Sequence, residues 1–190
     1  MAWKVTTEPS AEPVNVVDAK KHMRVDDDNE HVLLQTYLVA ARKSAEEFQR
    51  RKYITQSITL ELPGFSNVMS LPCAPLQSVT TVKYIDTAGD QQTLASSYYD
   101  EDTVSEPGRI LLAYEQTWPT ARAVYNAVEI IYVVGYGATS GTVPEQFKVA
   151  IWQIAAHAFE NREPVAFGGS LGEIPLAGLD LLRPARVLEF

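Results

Sequence analysis

Two stretches of the chain place their apolar residues at helical spacing, and the segment between them alternates at strand spacing. From Asn29 to Lys52, residues Leu34, Tyr37, Leu38, Ala41, Ala45 and Phe48 fall at offsets 0, 3, 4, 7, 11 and 14. That series draws one apolar stripe along a helix of 3.6 residues per turn. Asp26, Asp27 and Asp28 precede it, where the bare N–H groups and the positive dipole end lie. Arg50, Arg51 and Lys52 stand at the negative end. A second stripe, Phe147, Ala150, Ile151, Ile154, Ala158 and Phe159, follows the start signals Pro144 and Glu145 and runs to about Arg162, before Glu163-Pro164. Asn15 caps a shorter helix, Val16 to Met23, with Asp18 in its first turn.

After Lys52 the period changes to two. Ile54, Ile58, Leu60 and Leu62 alternate with polar residues until Pro63-Gly64. SVTTVKYID predicts a strand ending at the Ala88–Asp90 turn, with Gln91 to Leu94 returning. Tyr98-Tyr99 precede an acidic loop, Asp100 to Gly108; Arg109 to Tyr114 resumes the sheet, and Ala127 to Val134 is the last strand. The fold class expected is α+β: a helical unit of three to four helices interrupted by an antiparallel β module. The expected parts are a flexible arm over 1–13, which holds Pro9 and Pro13; a helical core over 14–52 plus 142–163; a β-rich insertion over 53–141; and a linker with a C-terminal tail or helix over 164–190.

Composition adds limits. With 190 residues, 46% hydrophobic and 21% charged, the chain suits one domain or a domain with an insertion. It has no run near the ~20 apolar residues of a membrane span and no export signal, so no membrane contact is expected. Cys73 is the single cysteine and suits a packing role. The net charge of −8 is uneven: residues 1–52 carry nine basic and nine acidic side chains, 53–143 three and nine, and 144–190 four and six. That balance argues against a clamp gripping phosphates, which needs clustered Lys and Arg.

Candidate chemistry is thin. Gly168-Gly169-Ser170-Leu171-Gly172 matches the nucleophile-elbow string. However, a helix and Pro164 precede Ser170, and His22, His31 and His157 all come before it, so a glycine linker is the better account. A small cytoplasmic hydrolase using Ser170 is the alternative function, as is a peptide- or ligand-binding module in the β insertion. His157 and Glu160, three apart, lack the zinc-protease spacing, and the imidazole is expected at a helix–helix contact. The run Asp26–Glu30 lacks the glycine and the final glutamate of a calcium loop. No catalytic residue, metal or cofactor is expected.

Four stretches carry a family likeness: VVDAKKHMRVDDDNEHVLLQTYLVAARKSAEEF, LPCAPLQSVTTVKYIDTAGD, Trp118-Pro119 through Asn126-Ala127-Val128 with VVGYG, and VPEQFKVAIWQIAAHAFENRE. In this order and spacing the chain resembles the phage head–tail connector, or adaptor, family over roughly residues 14–163. The resemblance implies a structural virion protein, not an enzyme. It implies a ring of about twelve copies beneath the portal, joined to a tail or stopper and continuing the channel through which DNA passes without sequence-specific binding. It places the protein in the virion neck, and in the bacterial host cytoplasm during assembly. By that analogy Leu179, Leu181, Leu182 and Arg183 would dock on the portal, the alternative being a fourth helix folded onto its own subunit. Arg42, Lys43, Glu46 and Glu47 would face a neighbouring copy or solvent. Asp100, Glu101, Asp102 and Glu106 would line the channel and repel DNA.

Overall fold

The computed structural model describes residues 2–26, 29–161 and 177–188. The elements are β1 (Ala2–Thr7), α1 (Val16–Met23), α2 (His31–Gln49), β2 (Gln56–Leu62), β3 (Val68–Leu71), β4 (Leu76–Ile85), β5 (Gln91–Leu94), β6 (Tyr99–Asp102), β7 (Gly108–Leu112), β8 (Val128–Val134), α3 (Glu145–Glu160) and α4 (Ala177–Leu182). Helices and antiparallel sheets make the α+β class that the sequence predicts. The chain divides into a β-rich unit, residues 1–10, 50–138 and 187–190, and a helical unit, residues 11–49 and 139–186.

β8 is the axis of the β-rich unit. Val128, Ile130, Tyr132 and Val134 are buried at every second position, as a half-buried strand requires. It lies between β2 and β4 in a five-stranded antiparallel sheet ordered β1-β2-β8-β4-β5. On β2, Ile58, Leu60 and Leu62 sit opposite Tyr132, Ile130 and Val128, so both strands present one apolar face. On β4 the buried residues Leu76, Val79 and Val82 are three apart, a spacing that would put them on alternating faces of a regular strand. The register shifts between Leu76 and Ser78, and again between Val79 and Thr81. Each irregularity absorbs one residue and returns the apolar set to the face that meets Val134, Tyr132 and Ile130. A second sheet, β3-β7-β6, adds Met69, Leu71, Ile110 and Tyr99 to the same core, with Cys73 among them. Gly135 ends β8 at φ +118°, where an added Cβ would stand 2.7 Å from the Ile54 carbonyl oxygen; only glycine fits.

In the helical unit α2 buries Leu34, Leu38, Ala41 and Ala45, and α3 buries Phe147, Ala150, Ile151 and Ala155. Both sets lie within the stripes read from the sequence or beside them. Tyr37 meets Phe159 edge to face at 6.1 Å, and His22 of α1 stacks on Trp152 of α3 at 5.8 Å. The Asn15 side chain accepts the Asp18 N–H at 2.7 Å, capping α1 as expected. No described helix is long and apolar enough to cross a membrane.

Three sequence expectations need correction. The arm expected over 1–13 is, from Ala2 to Thr7, an edge strand paired with β2, and Lys4 meets Glu61 at 3.5 Å. α2 stops at Gln49, because Arg50 takes φ +54° and the chain then bridges to Ala74. Arg51 and Lys52 are therefore buried in the β-rich unit and no longer cap the helix dipole. The acidic segment after Tyr98 begins as a strand, β6, before it turns. Of the acidic cap expected for α2, Asp27 and Asp28 lie outside the described residues.

Candidate assembly surfaces

The first predicted surface splits in two. Arg42 and Glu46, four apart on α2, are 2% and 1% exposed, whereas Lys43 and Glu47 are exposed. The Arg42 guanidinium donates through Nε to Glu12 Oε2 at 2.7 Å, through Nη2 to Glu12 Oε1 at 3.3 Å, and through Nη1 to Glu46 Oε2 at 3.1 Å. Burial pulls its pKa down, but the carboxylates of Glu46 and Glu12 outweigh burial and hold it above the ordinary arginine range. Arg42 and Glu46 are thus internal ties of the helical unit and cannot meet a neighbour. Glu12, remote in sequence and outside any helix, gave no signal of this role. Lys43 and Glu47 stay on the outside of α2.

The acidic set is mostly satisfied within its own unit. Glu106 accepts both terminal nitrogens of the buried Arg51, and Arg51 Nη1 also donates to Tyr136 Oη at 3.1 Å. Burial pushes the Tyr136 phenol up, and the adjoining guanidinium offsets only part of that. Asp102 accepts the backbone N–H groups of Val104 and Ser105 and pairs with Arg109 Nη2 at 2.7 Å. The Ser105 side chain first, then Arg109 and those backbone donors, hold its carboxyl far below the usual carboxylate range. Glu101 Oε2 accepts the Val79 N–H at 3.0 Å. Asp100 alone of the four is exposed with no such partner among the described residues.

A depressed carboxyl stabilises the fold above its unfolded pKa of about 3.9 and loses that contribution as pH falls below it. The β6–β7 turn of the native protein should accordingly loosen below about pH 4. Asp102→Asn should flatten that acid response when amide exchange at Val104 and Ser105 is followed against pH. An unaltered acid profile in the variant would contradict it.

The tail set also divides. Leu182 is fully buried, and its carbonyl accepts Gln49 Nε2 at 2.8 Å. Gly178 faces α3 so closely that a Cβ would stand 2.9 Å from Ile154 Cγ1 and 3.1 Å from the Ala150 oxygen. Arg186 lies over the Phe48 ring at 5.1 Å. Within the helical unit, α4 is therefore seated on α2 and α3, the alternative that the sequence left open. Leu181 and Arg183 are exposed, Leu179 is half-buried, and Arg183 meets Asp180 at 3.3 Å.

Ser170 and its glycine string lie outside the described residues. His157 is exposed, not at a helix–helix contact. Its carbonyl accepts the Asn161 N–H and side-chain amide, both at 3.0 Å, where α3 ends. Among the described residues no group of His, Cys, Asp and Glu could hold a metal ion. A cleft of the β-rich unit beside Glu61, Lys83 and Gln91 measures about 130 Å³, short of the roughly 300–1,000 Å³ of a small-molecule site.

Residues 14–116 match the model of the phage gp6-like head-tail connector protein family. The chain belongs to that family. Its class is structural, so the surfaces of this connector bear on assembly more than on chemistry. No curated protein matches it. Among solved structures it is similar to a chain from the virion of a native gene transfer agent particle, with a TM-score of 0.83 and 22% identity. That match covers 100% of this chain and 97% of the other. A chain from the neck of the empty particle computed with C6 symmetry gives 0.82 at the same identity and coverage. One from the neck of the native particle computed with C12 symmetry gives 0.79, again at 22% identity, covering 100% and 97%. At that identity the likeness establishes a shared fold.

Proposed function

We propose that this connector closes into a ring in the neck of a phage-like particle, joining the portal to the tail or stopper around the DNA channel. Family membership over residues 14–116 carries the reading. The fold shared along the whole chain with neck components computed in C6 and C12 symmetry supports the cyclic form. Subunits would be made in the bacterial host cytoplasm and act in the virion. Contact with neighbours would use Lys43 and Glu47 of the predicted set, with Arg42 and Glu46 fixing the helix beneath them. Contact with the portal would use Leu179, Leu181 and Arg183, with Leu182 as the anchor holding them in place.

The acidic β-rich unit would turn Asp100 toward the DNA, because like charge lets a polyanion slide without sticking, while Glu101, next to it on β6, is held by the Val79 N–H. Asp102 and Glu106 have structural duties, so reversing them would test folding instead. Asp100→Lys, at an exposed strand position, is the clean probe. Particles carrying it should show DNA passage slowed at low salt and restored at high salt, and passage unaltered at every salt concentration would remove Asp100 from the channel wall.

Native mass spectrometry and negative-stain imaging of the full chain, alone and with the portal, test the ring. A closed ring on the portal is the expected result. A chain that stays monomeric with the portal at every concentration would overturn the reading.

A further inference from the structure

The five-stranded sheet of the β-rich unit ends in two unlike edges. β1 and β5 each pair on one side only, and on the far side neither meets another strand among the described residues. A strand edge carries a row of backbone N–H and C=O groups at ladder spacing, which an added strand satisfies. Natural proteins guard such rows with charge, proline or cover. β5, Gln91–Leu94, has neither charge nor proline, and Gln91, Gln92 and Thr93 are exposed. β1 is exposed at five of its six residues. Its one charge, Lys4, is drawn back across the sheet to Glu61 of β2 at 3.5 Å, away from the free edge. The second sheet is different, because Asp100, Glu101 and Asp102 charge its β6 edge.

The two edges also share a face and a direction. Trp3 and Val5 lie opposite Leu60 and Ile58, so they carry the apolar face of the sheet out to the β1 edge, with Trp3 45% exposed. At the other edge Leu94 lies opposite Val82 and continues that same face. Every step from β1 through β2, β8 and β4 to β5 is antiparallel, so β1 and β5 run the same way. In a ring of about twelve copies a neighbour is turned by only about 30°, which leaves its strands in nearly the same direction. β1 of one copy then meets β5 of the next in parallel, whereas β1 on β1 would close a two-fold dimer.

We propose that the β1 edge of one copy pairs in parallel with the β5 edge of its neighbour, so that the sheet runs from subunit to subunit around the ring. A second copy is the occupant because one chain carries both halves of the contact. They are two different patches, alike in strand direction and in apolar face, as a head-to-tail ring requires. This inference rests on the ring proposed above and adds a backbone contact to those of α2.

The test uses the full chain assembled on its portal. Amide exchange at alternate residues of Ala2–Thr7 and Gln91–Leu94 should slow by roughly tenfold or more in the ring relative to the free subunit. Lys4 and Thr93 lie opposite Thr59 and Lys83, on the outer face of the sheet. Within one chain they are four strand spacings apart, about 19 Å. A Lys4→Cys, Thr93→Cys variant treated with a bismaleimide shorter than half that span should give a ladder of covalent multimers, absent from either single variant. Cys73 is buried and takes no part. Trp3→Lys should lower the fraction of closed rings by roughly tenfold, and Trp3→Phe should keep it. Circular dichroism checks that the variants fold. A covalent dimer from Lys4→Cys alone would show β1 on β1 and overturn the contact, as would unchanged exchange at both strands in closed rings. Either result leaves the ring itself standing. A wild-type chain that never closes on the portal would overturn both.

Discussion

Replacing Arg42 with alanine should destabilise the helical unit by about 3–5 kcal/mol, the usual cost of removing one partner from a buried ion pair. Glu46 lies beneath the surface of α2 and Glu12 is half-covered; both give carboxylate oxygens to this guanidinium. The loss is larger than a surface bridge would show because Glu46 cannot be rehydrated without opening the helix pair. A triple substitution, Arg42→Met with Glu46→Leu and Glu12→Gln, should recover most of it, since it leaves no carboxylate of the cluster without its cation. Urea unfolding monitored by helical signal measures both variants. A loss below about 1 kcal/mol for Arg42→Ala would mean that the pair behaves as a solvated one.

Leu182→Ala is expected to loosen α4 and little else. A fully buried leucine cut to alanine costs about 2–5 kcal/mol. Here the element held is one helix of six residues, which has no stability apart from its seat. Amide exchange over Gly178 to Leu182 should quicken by a factor of roughly 30 or more while α2 and α3 keep their protection. Gly178→Val should act alike, since its side chain would drive into Ile154 and the Ala150 carbonyl. If exchange in α4 is unchanged in both variants, the tail is held by something other than this packing.

The helices were legible because several signals agreed in each. Val16–Met23 has a cap, an acid in the first turn and an apolar side, and α3 has a proline start and a clean stripe. The end of α2 misled because Arg50-Arg51-Lys52 fits a helix terminus as well as it fits what it does. The deciding fact is tertiary: Arg51 is claimed by Glu106 and Tyr136, which local sequence cannot announce. β1 was missed because an edge strand exposed on both faces has no burial pattern to print on the sequence. β4 was read as a strand, but its two irregularities are visible only once β8 supplies the register. The candidate surfaces fared less well. Charge alone ranked Arg42 with Lys43 and Asp102 with Asp100; burial separates the first two and pairing the second two. Fully exposed Tyr114 and Tyr125 carry no sequence mark that distinguishes them from core tyrosines such as Tyr53 and Tyr132.

The position of β8 bears on how the chain is made. It is the last strand in sequence yet the central one in its sheet, ending 72 residues after β2 ends. At about 5–20 residues per second, a ribosome delivers it roughly 4–14 s after β2 has emerged. Through that interval β2 can pair only with β1, and β4 only with β5, each leaving a long apolar strand with an open side. A nascent connector therefore holds two incomplete strand pairs awaiting one closing segment, and any message truncated before Val134 leaves them without it.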